Sequence, residues 1–418
     1  MSDTHSPDGT TRIQAPLGPD GARLVLFTAP DTNTLRQHLV ETWAHTTLLP
    51  GPRHHSIDTA APDRVRAACV VQDHSQLVRA AQKISRWLDE GHAVRFDVRS
   101  GTFLHTHAGT APRIGLLFPG QAVPYEPDGG AWARQLPFAA ARYPDAPSAT
   151  TGPGRDTSVD QPAIITASLT GLNLLEQLGI QAVAAVGHSL GELGALHWAG
   201  AMTEQTLLRT AAVRGQRMQQ LGVPGVMANL SCPPETARDF TDGQQAWVAC
   251  ENSPDHTVVA GTTTGMTEIC HQAGATGIEM TPLPVSRAFH TPLVAEAAEA
   301  FAHDLAALHL SESTQPVYST VTGDRLGSGT DLKRLLSEQI TAPVRFTSAV
   351  RAADNSVDLW IEVGPGRALS KLLGRFTTTP VVSTDSTGAD LDGLFHTLAA
   401  LHCSGFQPHP AALDLEPV

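Results

Sequence analysis

The residues best able to do chemistry in this sequence are a serine, a histidine and an arginine. Ser189 lies in Gly187-His188-Ser189-Leu190-Gly191, after the apolar run 182–186 and before a helical stretch. A serine on a tight strand-to-helix turn needs small neighbours, because the backbone crowds itself there while the hydroxyl stays open to attack. The following N–H and the positive end of the helix then face a carbonyl oxygen as it gains charge. The spacing makes Ser189 the candidate nucleophile, against the plainer alternative of a turn serine. His188 points away from its neighbour on such a turn and is assigned to packing.

A serine needs a base. Of 19 histidines, His290 is the candidate, in Ser286-Arg287-Ala288-Phe289-His290-Thr291-Pro292 where an inserted unit ends. Domain junctions commonly hold sites, although a surface-loop histidine would look the same. No carboxylate presents itself as a third partner, and a main-chain carbonyl can fix the imidazole tautomer instead. Arg214 shares a helical stripe with Leu207, Ala211, Met218 and Leu221, behind Thr203 as N-cap. An inward guanidinium needs an anionic partner. That partner is either a protein carboxylate or a substrate carboxylate gripped by both prongs of the fork.

The elements that must position these residues fall into several units. Residues 1–22, rich in Pro, Gly, Thr and Asp, read as a disordered lead-in. Residues 23–110 read as a small α/β unit with strands at 24–28, 65–71 and 93–98. Its first helix carries Leu35, Leu39 and Trp43, and its second carries Leu77, Ala80, Ile84 and Trp87 and ends near Gly91. A larger unit covers 111–225 and 286–395, where apolar runs at 114–118, 182–186 and 359–363 suit a parallel sheet covered on both faces. Residues 122–156 read as long surface loops. The next helix would be capped by Ser158, Asp160 or Gln161, with Pro162 in its first turn, and would run to Gly179. Between the two halves, 226–285 alternates strands (226–230, 247–251, 257–260, 277–282) with helices near 234–240 and 266–272. That β-α-β-β-α-β order suggests a ferredoxin-like insertion. Residues 396–418 form a tail.

Composition excludes several classes. The 418 residues are 41% hydrophobic and 17% charged, which is globular, and a net charge of −13 argues against nucleic acid or an anionic membrane as partner. Aromatics at 5% offer no stacking platform for single strands. Cys69, Cys232, Cys250, Cys270 and Cys403 are scattered, odd in number and without a C-x-x-C pair, so they read as buried small side chains in a reducing compartment. No 18-residue apolar run or charged-then-apolar leader occurs, and a cytoplasmic location is expected. His54-His55 reads as a solvated pair.

Further motifs widen the pattern: Phe118-Pro119-Gly120-Gln121, Gln161-Pro162-Ala163, Glu192 after the serine turn, Arg214-Gly215, Asn252-Ser253-Pro254, Ala288-Phe289-His290 and Glu362-Val363-Gly364-Pro365-Gly366. Together, in this order over about 250 residues, the chain resembles malonyl-CoA:acyl-carrier-protein transacylases. It resembles still more the acyltransferase domains of type I polyketide synthases, with a texture similar to the iterative enediyne type. The resemblance implies an α/β fold: a hydrolase-like parallel-sheet large subdomain, a ferredoxin-like small subdomain, and a preceding α/β domain like the linker after a ketosynthase. It also implies a chain cut from a larger synthase, with neighbouring synthase domains as partners.

By the same resemblance, Ser189 attacks a malonyl thioester while His290 takes its proton. The N–H groups of Gln121 and Leu190 hold the oxyanion, Arg214 grips the malonyl carboxylate, and the main-chain carbonyl near Gln339 orients the histidine. Coenzyme A enters as a thioester substrate, the phosphopantetheine thiol of an acyl carrier protein takes the acyl group, and no metal or bound cofactor takes part. Phe289 and Leu190 match the malonyl pattern, since a bulky ring leaves no space for a 2-methyl group. Three departures stand out. Gly120-Gln121 continues as Ala122-Val123-Pro124 where relatives have G-S-Q, Arg287 replaces a common His and adds charge near the mouth, and Thr320 replaces a common Asn. Lys333 and Arg334, in a stretch with seven basic against four acidic residues, are candidates to meet an acidic carrier. Competing readings are an α/β serine hydrolase, which shares the elbow but would add an HGGG-type segment, and a non-catalytic docking module.

Overall fold

The computed structural model describes residues 13–16, 23–44, 64–109, 111–121, 123–143, 156–388 and 390–406. The N-terminal unit comprises β1 (Ile13–Pro16), β2 (Arg23–Ala29), α1 (Thr32–Ala44), β3 (Arg64–Val71), α2 (His74–Asp89), β4 (Val94–Asp97) and β5 (Thr102–Ala108). Its antiparallel sheet runs β1-β2-β3-β5-β4. The period of two divides the strands cleanly. Val25, Phe27, Ala67 and Cys69 face the helices with Leu35, Leu77 and Ile84. Leu24, Leu26, Ala68, Val70 and Phe103 face the other way and join the main core. This sheet is therefore cemented to the larger unit by a largely apolar face that also buries Arg66.

The larger unit begins with β6 (Ile114–Phe118), α3 (Gly130–Gln135), α4 (Pro137–Ala140), α5 (Thr157–Gln177), β7 (Ala182–Gly187), α6 (Gly191–Trp198) and α7 (Glu204–Leu221). The insertion follows as β8 (Val226–Leu230), α8 (Pro234–Thr241), β9 (Ala246–Ser253), β10 (His256–Gly261), α9 (Thr263–Thr276) and β11 (Met280–Pro282). The chain then returns through α10 (Ala295–Ala306), β12 (Val317–Ser319), β13 (Asp324–Arg325), α11 (Leu332–Glu338), α12 (Phe346–Asp354), β14 (Leu359–Glu362), α13 (Ala368–Leu373), β15 (Val381–Ser383) and α14 (Asp392–Cys403). The large sheet is ordered β13-β12-β7-β6-β14-β15, parallel except for the edge strand β13. The inserted sheet, β11-β8-β10-β9, is antiparallel in the ferredoxin-like order. Its Ala228, Leu230 and Val259 pack on α8 and α9, whereas Met227, Cys250 and Val258 turn toward the main core.

Several expectations are corrected. Ile13–Pro16, inside the expected lead-in, is a strand paired with β2; the remainder of 1–22, like His54-His55, lies outside the described residues. The strand near 93–98 is the edge of its sheet and does not pair with β3, because β5, a strand not expected from the sequence, lies between them. Within 122–156, α3 and α4 bury Trp132, Leu136 and Ala139 instead of looping over the surface. Asp156 caps α5 by accepting from the Ser158 N–H, two residues before the earliest cap expected. The fourth inserted strand is only Met280–Pro282, because Gly277 at φ +73° ends α9 in the left-handed conformation. The boundary expected at 395/396 falls inside α14, which packs on β3 and β15. Cys270 is exposed, while the other four thiols are buried. Among the described residues no helix is long and apolar enough to cross a membrane.

Candidate active site

The serine turn is built from close approaches. A Cβ at Gly187 would stand 2.2 Å from the Glu192 nitrogen, and one at Gly191 would stand 2.0 Å from the Phe118 carbonyl oxygen. Only glycine lets β7 turn into α6 this tightly against β6. The His188 N–H donates to the Phe118 carbonyl (3.0 Å), locking the turn to the neighbouring strand. Ser189 itself sits at φ +51°, in the left-handed region that non-glycine residues rarely adopt.

His290 is strained in the same sense, at φ +63°. Its N–H donates to the Ile340 carbonyl (3.1 Å), and its Nε2 lies 2.8 Å from Ser189 Oγ. Nδ1 lies 3.0 Å from the Gln339 carbonyl and 2.9 Å from the Ala342 carbonyl. Two carbonyls can only accept, so the proton belongs on Nδ1 and the Nε2 lone pair faces the serine hydroxyl. Burial holds the imidazole down to about 3, with the charge of Arg214 and then His188 adding to the effect.

Arg214 projects from α7 into the same place and is 1% exposed. One terminal nitrogen donates to Gln161 Oε1 (2.9 Å), and the other donates to Gln339 Oε1 (3.1 Å) and Ser189 Oγ (3.3 Å). Its direct partners are thus neutral, and burial lowers its pKa to about 10. The nearest compensating charge, Glu192, is reached through Gln339, whose Nε2 donates to Glu192 Oε2 (2.7 Å) and to the Ser189 carbonyl (3.0 Å). Burial raises Glu192 above the usual carboxylate range, opposed by the hydrogen bonds it accepts and by the Arg214 charge.

These groups open into a cavity of about 230 Å³, lined on the large-subdomain side by Gln121, Val123, Arg214, Phe289 and Leu369. The inserted sheet supplies the facing wall through Met227, Asn229, Cys250, Asn252 and Val258. His188, assigned to packing, does lie against the Phe346 ring (centroids 5.5 Å apart) and also reaches across to this wall, with Nε2 2.8 Å from Asn252 Oδ1. Among the described residues, the N–H groups of Gln121 and Leu190 have no backbone acceptor. Among those residues there is also no cluster of His, Cys, Asp or Glu side chains able to hold a metal ion.

Residues 75–377 match the acyl transferase domain family. The chain belongs to that family. This acyltransferase is 37% identical to the acyltransferase domain of an iterative polyketide synthase in enediyne biosynthesis, with a TM-score of 0.77 over 94% of this chain and 98% of that one. It is 30% identical to the malonyl CoA-acyl carrier protein transacylase of Bacillus subtilis, over 62% of this chain and 89% of the relative. It is 28% identical to polyketide synthase GfsB of Streptomyces halstedii, over 82% of this chain but only 6% of that synthase.

In this acyltransferase, one expected feature of the mouth is absent. Arg287 does not line the cavity; its guanidinium donates to the Gln219 carbonyl near the end of α7 (3.0 Å). Thr320, expected as a departure from the family pattern, places its hydroxyl 3.1 Å from the Gly187 carbonyl and 3.2 Å from Glu192 Oε2, beneath the serine turn. Lys333 and Arg334 lie on α11, where Lys333 donates to the Ala306 carbonyl and Arg334 pairs with Glu338. Sequence reasoning missed the Gln339 side chain and the role of Glu192 as its acceptor. It also missed the network joining Gln121 to α5, since hydrogen bonds between distant elements leave no local spacing to detect.

Proposed function

We propose that this acyltransferase moves a malonyl group from coenzyme A, through an acyl-serine on Ser189, to the phosphopantetheine thiol of an acyl carrier protein in polyketide assembly. The observation that carries this reading is Arg214: a buried guanidinium beside the serine hydroxyl whose direct partners are neutral amides. A buried cation so placed is matched by a substrate carriying its own carboxylate, and an acyl group bonded at the serine would hold that carboxylate within the fork's reach.

In this reading His290 takes the Ser189 proton on Nε2 as the hydroxyl attacks the thioester, and the N–H groups of Gln121 and Leu190 receive the oxyanion. The carbonyls of Gln339 and Ala342 stabilise the imidazolium through Nδ1–H. Malonate pairing offsets the Arg214 charge that depresses His290, so the base strengthens when the right donor is seated. The proton returns to the leaving thiolate of coenzyme A. The carrier thiol is then activated by the same nitrogen, and the acyl-serine is cleaved by a second attack. Phe289 crowds the position of a 2-methyl group. Lys333 and Arg334 offer basic charge to an acidic carrier, neighbouring synthase domains complete the assembly, and buried thiols suit a cytoplasmic setting.

Intact mass after incubation with malonyl-CoA tests the reading. The native protein gains one malonyl group and Ser189→Ala gains none. An unmodified native protein, or an equally modified Ser189→Ala, overturns it.

A further inference from the structure

Gln121 lies at the mouth of the cavity, and the structure shows what holds its side chain. The Gln121 side chain is fastened to the first turn of α5. Its Oε1 accepts from the Thr157 hydroxyl and from Gln161 Nε2 (3.3 Å), while its Nε2 donates to Asp160 Oδ2 (3.4 Å). The other carboxylate oxygen of Asp160 accepts from the Tyr125 hydroxyl at 2.8 Å. One carboxylate, only 5% exposed, therefore ties down both ends of the stretch 121–125.

The polarity of this network runs one way. A carboxylate only accepts, so Asp160 compels Gln121 to present its NH₂ and leaves the Gln121 oxygen for Thr157 and Gln161. Gln161, having spent its NH₂ on that oxygen, presents Oε1 to Arg214 at 2.9 Å. Were Gln121 turned over, its NH₂ would confront the NH₂ of Gln161, and Gln161 could accept from Arg214 only at the cost of that clash. The orientation chosen at Asp160 thus reaches both the loop that carries the Gln121 N–H and the guanidinium.

We infer that Asp160, with Tyr125, is a positioning residue for acyl transfer: it sets the Gln121 main chain so that its N–H meets the oxyanion. The inference rests on the acyl-serine reading above. An oxyanion donor acts on the transition state, so its displacement lowers the rate at saturating donor and leaves KM nearly unchanged. A displacement of the order of 1 Å is enough to cost about 100-fold, and complete loss of a donor costs about 100- to 1,000-fold.

The test measures acyl-serine formation by rapid quench and intact mass, with malonyl-CoA and acetyl-CoA as donors. Asp160→Leu, which keeps the bulk and removes both acceptors, is expected to lower the saturating rate roughly 10- to 100-fold for both donors, with KM altered less than about threefold. Asp160→Asn is expected to stay within about threefold of the native rate, because its oxygen can accept from Gln121 while its NH₂ donates to the Tyr125 oxygen. In a Gln121→Leu background, Asp160→Leu should cost clearly less than it does alone, since only the Tyr125 arm of the tie is left to lose. A rise in KM at unchanged rate, an Asn variant as damaged as the Leu variant, or full additivity with Gln121→Leu overturns the inference. Should Asp160→Leu fail to fold, Tyr125→Phe carries the test, with a smaller loss of the same kind expected and an unchanged rate overturning it. No acyl-serine on the native protein would instead sink the underlying reading, so the two failures are distinct.

Discussion

On the proposed acyl-serine reading, replacing Arg214 is expected to separate recognition of the acyl carboxylate from the chemistry at Ser189. Arg214→Met keeps most of the volume and removes the charge from a residue 1% exposed to solvent. For malonyl-CoA the loss is that of one partner in a buried charge pair, about 2–5 kcal/mol, since the carboxylate enters the cavity without its counter-ion. That corresponds to roughly 30- to 5,000-fold in kcat/KM. Acetyl-CoA has no such group. It also meets a stronger base, because the Arg214 charge, after burial, is the next cause of the depressed His290 pKa. Acetyl transfer is therefore expected to hold within about tenfold of the native value or rise, taking a single weakened hydrogen bond to Ser189 as the remaining loss. The assay is acyl-serine formation under single-turnover conditions with each thioester, alongside the thermal midpoint, because Gln161 and Gln339 lose a donor. An equal fall for both thioesters would refute the reasoning and make Arg214 a structural residue.

Acidity gives a second expectation. The His290 pKa is about 3 against an ordinary 6.5, and those of His396 and His402 are about 4, so between pH 6.5 and 4 the unfolded chain binds more protons and stability falls as pH drops. Glu362, raised by burial from 4.5 to about 7, has the opposite sign: its contribution is present below 4.5 and lost as pH rises through 7. Three histidines outweigh one glutamate, and the thermal midpoint should decline over that window, while acyl-serine formation stays level from pH 8 to about 5; a rate that halves near 6.5 would contradict this. Gly191→Ala, whose Cβ would stand 2.0 Å from a backbone oxygen, should cost about 3 kcal/mol or more, read as a large fall in the denaturation midpoint. Phe289→Ser should raise the ratio of methylmalonyl to malonyl transfer by up to about 10- to 200-fold in competition experiments.

What could be read from the sequence tracks how local the cause is. The glycines around Ser189 were legible because a single turn demands them, and the ferredoxin-like order because its strands and helices alternate within 60 residues. The strand β5 was hidden by His105, Thr106 and His107, whose polar character breaks the apolar run although the strand pairs on both sides. The helices α3 and α4 were hidden by the Pro and Gly around them, although Trp132 anchors them in the core. Arg214 was visible as a misfit on an apolar stripe. Gln339 and Glu192 were not, because their contact spans 147 residues and obeys no period. Arg287 misled for a related reason: its charge is written in the sequence, but the carbonyl at Gln219 that captures it is set by where α7 ends.

That captured arginine also marks where the inserted unit is moored. Pro224 and Arg287 face each other as an antiparallel bridge, and the Gly225 N–H donates to the Ser286 carbonyl (3.2 Å), so the outgoing and returning strands of the crossing lie stitched together. Two cords joined in this way act as one mooring, and a second lies along β9, where Cys250 bridges Val344 and the Glu251 N–H donates to the Val344 carbonyl (2.8 Å). The 2.8 Å contact between Ser189 and His290 lies wholly on the large-subdomain side of both, whereas Met227, Cys250 and Val258 belong to the inserted sheet. The slot above the serine is thus spanned from two fixed points, and His188 beside Ser189 is tied across it to Asn252 (2.8 Å). The wall facing Phe289 is therefore held in register with the reactive pair, and a transplanted small subdomain would have to rebuild both moorings to keep the width of the slot.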